Sequence, residues 1–412
     1  SLERIIVLTD AAHMPATKLA NAVPYEEWLA EGDGDFRWAS FDENTAAGLC
    51  YTSGTTGNPK GVLYSHRSNV LHSLVSTGLE ALPVAPSTSC MPVVPMFHAN
   101  SWGLAFSCPM KGAKMVMPGA KLDGASIYEL LETEKVDFTA AVPTVFLMLL
   151  SYLQKEKKRL STLKLVVIGG SACPPEMIRA FERDYGVEVR HAWGMTEMSP
   201  IGSVCYVKPV VASDDYEDVL KLKSKQGFAP FGVEMKIVDA ENRELPWDGK
   251  TFGRLKVSGP AVAKSYFKGD GGEILDEHGF FDTGDVATID ANGYMQITDR
   301  AKDVIKSGGE WISSIDIENF AVGHPDVAEA AVIGVAHPKW DERPLLVVVA
   351  KEGRQPKPED LFEFLKPKIA KWWMPDDVVF VDAIPHTATG KILKTELRAQ
   401  MQDYRFPGYG GS

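Results

Sequence analysis

Residues 51–62 read YTSGTTGNPKGV, a glycine- and hydroxyl-rich string that contains a single lysine, Lys60. Glycines let backbone N–H groups approach an anion closely, hydroxyl groups add hydrogen-bond donors, and the lysine adds a positive charge. The string directly follows a predicted strand, and its spacing differs from the GxxxxGK[ST] pattern of a Walker A loop. We therefore predict a phosphate-binding loop rather than an ordinary polar turn. Its phosphate-binding residues would be Thr52, Ser53, Gly54, Thr55, Thr56, Gly57 and Lys60.

The same string resembles the signature of the adenylate-forming superfamily, which contains acyl-CoA synthetases, the adenylation domains of peptide synthetases and beetle luciferases. Six further segments resemble that family in the same order along the chain. Because all seven segments match in order between about residues 48 and 398, the resemblance is specific, whereas one segment alone would be weak. The six segments are PMFHANSW (95–102), GGSACPP (169–175), AWGMTEMSP (192–200), FFDTGDVA (280–287), ITDRAKDVIKSGGEWISS (297–314) and HTATGKILKTELR (386–398).

The resemblance implies a reaction in which a carboxylate attacks the α-phosphate of ATP. Glu197 matches the residue that helps to hold Mg²⁺, and Thr196 would donate a hydrogen bond to the α-phosphate. One carboxylate suffices beside phosphates, because Mg²⁺ keeps several of its waters. Lys391 matches the lysine that bridges the acyl carboxylate and ATP, where an ammonium group stabilises developing charge. Without the resemblance, each of these residues would be interpreted as an ordinary surface residue.

The resemblance also implies a binding site for the adenosine part of ATP. Asp285 matches an aspartate that accepts hydrogen bonds from both ribose hydroxyls, which suits its two acceptor oxygens. Arg300 matches a second contact to the ribose or the phosphates. Trp193 stands where relatives stack an aromatic ring, most often tyrosine, on the base, although a lone tryptophan is more often a core residue. The adenine slot would be formed by Gly170, Ser171, Ala172 and Trp193, followed by Gly194 and Met195.

Sites for the acid and for the thiol are implied in the same way. His98 and Trp102 match residues beside the acyl pocket, His98 near the reacting carboxylate and Trp102 as a gating tryptophan, although a lone histidine is usually structural. Lys302 matches the hinge about which a small domain rotates between two half-reactions. After that rotation, a thiol tunnel would be formed by Gly308, Gly309, Glu310 and Trp311. The nine histidines are scattered, which argues against a histidine-ligated metal site.

The elements that must position these residues change in type along the chain. Between residue 48 and about residue 200, short β-branched strands alternate with helical segments such as 69–82, which predicts a mainly parallel sheet covered by helices. Residues 227–299 contain short alternating strands, with a hairpin tip at 291–293, which predicts an antiparallel β unit. From residue 302 onward, a strand at 327–337 and a helix at 358–373 are among the elements that predict a small α+β unit.

Together these patterns predict an α/β fold with two domains. A large N-terminal domain, residues 1–300, would combine mixed, mainly parallel sheets with an antiparallel β subdomain. A small mobile C-terminal α+β domain, residues 301–412, would follow a hinge at 299–302. Only about 50 residues precede the phosphate loop, whereas the resembling family carries a much longer N-terminal region, so we expect that the N-terminal part of the family fold is missing. The opening residues, SLERIIVLTD, are typical of a strand that would ordinarily be interior.

The composition excludes several classes of protein. The 412 residues are 45% hydrophobic and 24% charged, which is typical of a soluble globular protein with at least two domains. The net charge of −12 argues against nucleic-acid binding. The longest apolar run, residues 140–150, is too short for a membrane span, and we see no secretory signal. Five cysteines without a CxxC pair predict reduced, mostly buried thiols in a cytoplasmic protein, and a homodimer stays open.

These inferences predict a two-step, AMP-forming acyl-CoA ligase. A carboxylic acid and ATP would give an acyl-adenylate and pyrophosphate, and coenzyme A would then displace AMP, with Mg²⁺ as the cofactor. The segment AWGMTEMSP and residues 371–398 resemble bacterial medium- and long-chain fatty acyl-CoA ligases and 3-methylmercaptopropionyl-CoA ligases. We therefore expect a fatty acid, with 3-methylmercaptopropionate or another small or aryl acid as the alternative.

Two other functions stay open at this point. The first is an adenylation domain that loads a carrier protein, which is disfavoured because no phosphopantetheine-type serine motif follows residue 398. The second is an inactive fragment that binds nucleotide or acyl groups without catalysis. Pyrophosphate release and free coenzyme A as the acceptor distinguish the ligase from both.

Overall fold

The computed structural model describes residues 2–52, 59–308, 310–387 and 390–407, without the side chain of Glu310. The chain divides into two compact units, residues 1–43 and 44–412. In the first unit, two short strands pair in parallel and a helix follows the second strand. These elements are β1 (Ile5–Val7), β2 (Ala22–Pro24) and α1 (Tyr25–Leu29). The predicted N-terminal strand therefore forms, but its residues are half-buried rather than interior.

The second unit begins with a two-stranded antiparallel hairpin, which is followed by a six-stranded sheet. The strands of this region are β3 (Ala46–Tyr51), β4 (Gly61–Ser65), β5 (Ser89–Pro92), β6 (Lys114–Met115), β7 (Phe138–Ala141), β8 (Leu165–Ile168), β9 (Glu188–Gly194) and β10 (Ile201–Val204). The hairpin is β3–β4, and the sheet has the order β10-β9-β8-β7-β5-β6. Every pair in the sheet is parallel except β9–β10, which confirms the mainly parallel sheet.

Helices cover both faces of this sheet. They are α2 (His66–Ser76), α3 (Ala99–Trp102), α4 (Leu104–Lys111), α5 (Gly124–Thr133), α6 (Pro143–Lys155), α7 (Pro175–Arg179) and α8 (Tyr216–Lys223). Val167 of β8 packs in a buried cluster with Leu104 of α4. Its neighbours Val166 and Ile168 share a different cluster with Phe146 of α6. Because successive residues of a strand point to opposite faces, each face of the sheet has its own core.

Two elements of this region differ from the sequence expectations. Strand β5 lies inside the sheet but was not predicted, because its sequence SCMP contains no β-branched residue and all four residues are buried, which leaves no alternating pattern. Helix α2, predicted at 69–82, begins at His66 and ends at Ser76. It begins earlier because the Ser65 hydroxyl accepts a hydrogen bond from the N–H of Ser68 and caps the helix.

The apolar run at 140–150 is divided between a strand and a helix. It covers the end of β7 and the first turns of α6, and Pro143 stands in the first turn of that helix. Proline fits there because an N–H in the first turn of a helix has no intrahelical acceptor, so its absence costs no hydrogen bond. No helix among the residues that the structure describes is both long enough and apolar enough to cross a membrane.

Four antiparallel strands follow the large sheet, as the sequence predicted. They are β11 (Glu234–Val238), β12 (Gly253–Ser258), β13 (Phe281–Ile289) and β14 (Met295–Arg300), paired in sequence order. The turn between β13 and β14 is closed by a hydrogen bond of 2.8 Å from the N–H of Gly293 to the carbonyl of Asp290. Gly293 adopts a φ of 84°, which a glycine tolerates without steric cost, so the hairpin tip is confirmed.

The last part of the unit is an α+β layer. Its elements are β15 (Ile305–Ser307), β16 (Glu310–Ile312), α9 (Ser314–Val322), β17 (Val327–His337), β18 (Asp341–Ala350), α10 (Pro358–Leu365), β19 (Asp377–Phe380) and α11 (Lys394–Gln400). The sheet has the order β16-β15-β18-β17, with β19 parallel to β18. Helix α10 ends before Pro367, not at residue 373 as the pattern suggested, because proline cannot continue the hydrogen-bond ladder.

The α/β fold class is thus confirmed. The predicted domain boundary at 299–302 lies between β14 and β15, inside the second compact unit, and it stays a prediction. All five cysteines fall within the described residues, and each is free and buried, as expected.

The packing of α6 against the sheet gives a stability prediction. Phe146 is fully buried, and its ring meets that of Phe181 edge-on with centroids 5.4 Å apart. We expect Phe146→Ala to lower the free energy of unfolding by about 3–5 kcal/mol, because it leaves a cavity between the helix and the sheet. Met148→Ala on the same helix, where the side chain is 45% exposed, should lower it by less than about 1 kcal/mol. Urea unfolding measures both, and equal losses would contradict this packing.

Candidate active site

A cavity of about 760 Å³ brings together residues from all seven segments singled out in the sequence. Its lining includes Thr52, Lys60, His98, Trp102, Gly170, Trp193, Gly194, Met195, Thr196, Glu197, Arg300, Lys302 and Lys391. These residues are up to 339 positions apart in the chain (391 minus 52), so only the tertiary fold can gather them. The carboxyl ends of β8 and β9 border the cavity, which is where parallel sheets usually place ligands.

The predicted phosphate loop begins and ends at one point beside this cavity. The N–H of Thr52 donates to the carbonyl of Lys60 at 2.9 Å, and the N–H of Lys60 donates to the Thr52 hydroxyl at 3.0 Å. These two bonds extend the β3–β4 ladder and close the loop at its base. The predicted phosphate ligands Ser53, Gly54, Thr55, Thr56 and Gly57 lie outside the described residues.

Glu197 is held in place by a tyrosine that sequence reasoning missed. The hydroxyl of Tyr266 donates to Glu197 Oε1 at 2.6 Å, and the Lys60 Nζ lies 4.8 Å from the centre of the Tyr266 ring. Burial, followed by the charge of Glu197, raises the pKa of Tyr266 well above its usual value, so the hydroxyl keeps its proton for this bond. Tyr266 stands in a loop between lysines and glycines, and no local pattern there points to chemistry.

The backbone around Glu197 is fixed as firmly as its side chain. Thr196 and Glu197 lie in a short 3₁₀ turn that follows β9. The carbonyl of Thr196 accepts a hydrogen bond of 2.7 Å from the Tyr64 hydroxyl, and the carbonyl of Glu197 accepts one of 2.7 Å from the N–H of Ala263. Glu197 is 5% exposed and lines the cavity.

The donor set is compatible with Mg²⁺ only if a ligand shares it. Among the residues that the structure describes, no three His, Cys, Asp or Glu side chains converge on one point. Glu197 is a single buried carboxylate in the cavity, and Mg²⁺ bound with nucleotide phosphates needs few protein ligands. The residues therefore fit a metal that arrives with the nucleotide.

Trp193, Asp285 and Arg300 form one connected group. The indole Nε1 of Trp193 donates to Asp285 Oδ2 at 2.9 Å, and Arg300 Nε pairs with Asp285 Oδ1 at 2.9 Å. Asp285 and Arg300 face each other in the β13–β14 register. Burial raises the pKa of Asp285 although Arg300 and Trp193 oppose that shift. Each carboxylate oxygen keeps a second lone pair, which leaves acceptors for a ribose diol.

The Trp193 ring is packed against a glycine. A Cβ at Gly202 would lie 2.3 Å from the Trp193 ring, so no larger residue fits at this position without movement. Trp193 is 8% exposed, yet its ring contributes to the cavity wall.

Lys391 enters the cavity from the loop before α11. Its N–H donates to the Thr387 hydroxyl at 3.2 Å, and its Cε would lie 3.7 Å from a Cβ at Gly170. The side chain therefore lies over the Gly170 backbone. Burial and then the charge of Arg300 lower the pKa of Lys391 to about 8, while Asp285 and Glu197 oppose the shift. The ammonium form is thus present below about pH 8 and is lost above it.

His98 and Trp102 belong to a strained turn that contributes to the cavity lining. The residues of α3, Ala99 to Trp102, have φ angles between 45° and 55°, a left-handed conformation that non-glycine residues avoid. The Ser101 hydroxyl donates to the carbonyl of Val94 at 2.6 Å and helps to hold the turn. Burial and the charge of Lys391 lower the pKa of His98 to about 4, so the imidazole is neutral near pH 7.

The other predicted residues fall into two groups. Ser171 and Ala172 line an adjoining cavity of about 230 Å³, which shares Gly170, Arg300, Lys302 and Lys391 with the first. The predicted adenine slot is therefore divided between the two cavities. Gly308 and Trp311, predicted for the thiol tunnel, line neither of them, and Trp311 is 39% exposed. Gly309 and the side chain of Glu310 lie outside the described residues.

Comparisons with known proteins show the family of this chain. The sequence profile of the AMP-binding enzyme family matches residues 2–267, and the profile of the AMP-binding enzyme C-terminal domain matches residues 316–391. The predicted boundary at 299–302 falls between the two matches. ATP-bound MatB from Rhodopseudomonas palustris has a similar structure, with a TM-score of 0.79 at 27% identity over 93% of this chain and 74% of that chain.

Curated relatives are more similar in sequence. A 3-methylmercaptopropionyl-CoA ligase from Ruegeria lacuscaerulensis is 54% identical over 379 residues, which cover 92% of this chain and 70% of that protein. A medium-chain-fatty-acid–CoA ligase from Ectopseudomonas oleovorans is 47% identical over 390 residues, covering 94% of this chain and 71% of that protein. The chain therefore belongs to the AMP-binding enzyme family and, within it, to the acyl-CoA ligases, which are AMP-forming acid–thiol ligases.

Proposed function

We propose that this protein converts an aliphatic carboxylic acid into its coenzyme A thioester in two steps. The acid and ATP first give an acyl-adenylate and pyrophosphate, and the thiol of coenzyme A then displaces AMP. The observation that carries the proposal is one cavity whose lining combines Lys60, Arg300, Lys391 and Glu197 with apolar side chains. The charged groups suit a nucleotide triphosphate, and the apolar side chains suit an acyl chain.

The charged groups serve the first half-reaction. Arg300 and Lys391 supply positive charge where the attacking carboxylate and the phosphates would otherwise repel each other. The hydroxyl of Thr196 is available as a donor to the α-phosphate, and Glu197 would hold Mg²⁺ together with the phosphates. The metal, when bound, withdraws charge from the phosphate oxygens. Because these groups are held before the substrates arrive, little reorganisation is needed during reaction.

The apolar side chains of the lining indicate the class of acid. They are Leu82, Ala99, Trp102, Val167, Ala192 and Ile201. The neutral His98 also lines the cavity and can donate or accept one hydrogen bond without adding charge. Such a lining favours a medium- or long-chain fatty acid over a polar one. The second candidate is 3-methylmercaptopropionate, because two relatives named 3-methylmercaptopropionyl-CoA ligase are 54% and 50% identical to this chain.

The second half-reaction would require a different arrangement of the C-terminal part. Gly308 and Trp311 do not line the cavity, whereas Lys391 does, so the proposed thiol tunnel does not open into the cavity in this arrangement. We place the hinge at Lys302, between β14 and β15, and the thiol tunnel at Gly308, Gly309, Glu310 and Trp311. A few loop residues suffice to absorb such a rotation.

Coenzyme A is the proposed acceptor because the similar relatives are named as CoA ligases. The alternative with a different acyl acceptor is an adenylation domain that loads a carrier protein. The non-enzymatic alternative is an inactive fragment that binds nucleotide or acyl groups. The five free, buried cysteines favour a reducing, cytoplasmic location. A homodimer stays a prediction.

The identity of the acid is tested by pyrophosphate release from the intact protein. We expect acid-dependent release with ATP and Mg²⁺, greatest with octanoate or dodecanoate and weaker with acetate, because a longer chain buries more apolar surface. 3-Methylmercaptopropionate is measured alongside, and a higher kcat/KM for it selects the second candidate. Release of AMP from the acyl-adenylate should require coenzyme A and should not require a carrier protein. Absence of release with every acid would refute the ligase.

The role of Lys391 is tested by separating the half-reactions. Lys391→Ala should slow adenylation by about 100- to 1000-fold, because a charge-stabilising donor is lost. Thioester formation from supplied acyl-adenylate should change by less than about threefold, since that step no longer needs the triphosphate contact. Lys366→Ala, at a lysine with a 69% exposed side chain, is the control. Equal loss of both half-reactions in Lys391→Ala contradicts the assignment.

The role of Tyr266 is tested through the metal requirement. Tyr266→Phe removes the hydroxyl bound to Glu197. We expect the Mg²⁺ concentration for half-maximal adenylation to rise about tenfold, since a hydrogen bond to a charged group contributes about 1.5–3 kcal/mol. Tyr64→Phe is the matched control, because the Tyr64 hydroxyl donates to the Thr196 carbonyl and not to the Glu197 carboxylate. A similar Mg²⁺ dependence in both variants would show that Tyr266 does not act through Glu197.

A further inference from the structure

A buried polar network lies between β14, α9 and α11, and three of its four residues line the smaller cavity. Its members are Asp299, Ser314, Glu318 and Lys394, here called the hinge network. Asp299 and Ser314 are 1% and 0% exposed, and the side chains of Lys394 and Glu318 are 10% and 13% exposed. None of these residues is needed for the adenylation chemistry described above.

The contacts run continuously from one end to the other. Lys394 Nζ lies 2.7 Å from Glu318 Oε1 and also donates to the Ser314 hydroxyl. The Ser314 hydroxyl and the Ser314 N–H donate to Asp299 Oδ2 at 2.5 Å and 2.9 Å. Burial opposes the charge on Lys394, but Glu318 and Asp299 hold its pKa above the usual value, so the lysine stays charged. One buried cation is thus balanced by two carboxylates.

Both ends of the network connect to cations of the cavity. Asp299 directly precedes Arg300, and its Oδ1 accepts a hydrogen bond of 2.8 Å from the Arg300 N–H. Lys394 is the first residue of α11 and follows Lys391 by three positions. The backbone that carries Arg300 and the backbone that carries Lys391 are therefore tied to the same set of buried groups.

The network crosses the proposed hinge at one point. Asp299 belongs to β14, before Lys302, whereas Ser314, Glu318 and Lys394 follow it. A second hydrogen bond also crosses the proposed hinge, since the Ser313 hydroxyl donates to the carbonyl of Thr298 at 2.6 Å. If the part after residue 302 rotates as a body, the bonds within that part survive, and those from Ser313 and Ser314 to β14 must break.

Buried ion pairs seldom add much stability, since desolvation offsets the attraction, and their best-attested use is to specify one arrangement among several. We propose that Ser314, Glu318 and Lys394 are positioning residues that lock the C-terminal part onto Asp299 for adenylation and release it for thioester formation. This rests on the proposed two-step function and on rotation about Lys302. Lys394 fixes the strength of the lock by orienting the Ser314 hydroxyl between itself and Asp299.

The test compares Ser314→Ala, Lys394→Met and Lys394→Arg with the intact wild-type protein in each half-reaction. Ser314→Ala is the main variant because it removes one hydroxyl and leaves Lys394 paired with Glu318. We expect Ser314→Ala and Lys394→Met to slow acid-dependent pyrophosphate formation by about tenfold, the equivalent of one charge-assisted hydrogen bond. Thioester formation from supplied acyl-adenylate should be unchanged or faster, and Lys394→Arg should restore most of the adenylation rate. Lys366→Met, at an exposed ion pair with Glu363, is the control.

A second measurement does not depend on activity. Amide hydrogen exchange of residues 311–322 should be faster in Ser314→Ala than in wild type, while the urea midpoint stays the same, because the lock opens without global unfolding. Equal losses in both half-reactions, or unchanged exchange together with unchanged adenylation, would overturn the lock. If the wild-type protein forms no pyrophosphate, the proposed function fails, and the exchange comparison still decides whether the lock exists.

Discussion

The central constraint in this protein is the repulsion between cations that share one cavity. Burial and then the charge of Arg300 lower the pKa of Lys391 to about 8, and Asp285 and Glu197 only partly compensate. Such an arrangement is unfavourable alone but becomes favourable when a polyanion enters, since electrostatic interactions strengthen away from water. The fold therefore holds positive charges complementary to a triphosphate in place before the ligand binds. This is the electrostatic preorganisation that enzymes use most effectively.

The rest of the structure can be understood as support for that pattern. The parallel sheet places Thr196 and Glu197 directly after β9, and the β13–β14 register places Asp285 opposite Arg300. Tyr266 then holds Glu197 from a loop 69 residues away. Lys391 comes from the far end of the chain, so its position depends on how the C-terminal part is docked. The proposed hinge network offers a physical reason for that docking.

The sequence predicted the elements whose patterns are local. The antiparallel strands, the hairpin tip near Gly293 and the strand β17 all follow from alternation and turn residues. The motif residues that meet in the cavity were named from resemblance, not from spacing. Strand β5, the left-handed turn α3 and Tyr266 were missed, because their roles arise from contacts between distant segments. The hinge network was missed for the same reason, because each of its members alone is an ordinary polar residue in the sequence.

The most direct measurement of the central claim is the pH dependence of kcat/KM for ATP in the adenylation step, which reports ionisation in the free enzyme. The account predicts that kcat/KM falls as pH rises through about 8, as Lys391 loses its proton, whereas kcat falls only at higher pH because bound phosphates stabilise the ammonium. Lys391→Arg, which cannot lose its charge, should abolish the fall. A wild-type kcat/KM that stays constant well above that pH, or an identical fall in the arginine variant, would contradict it.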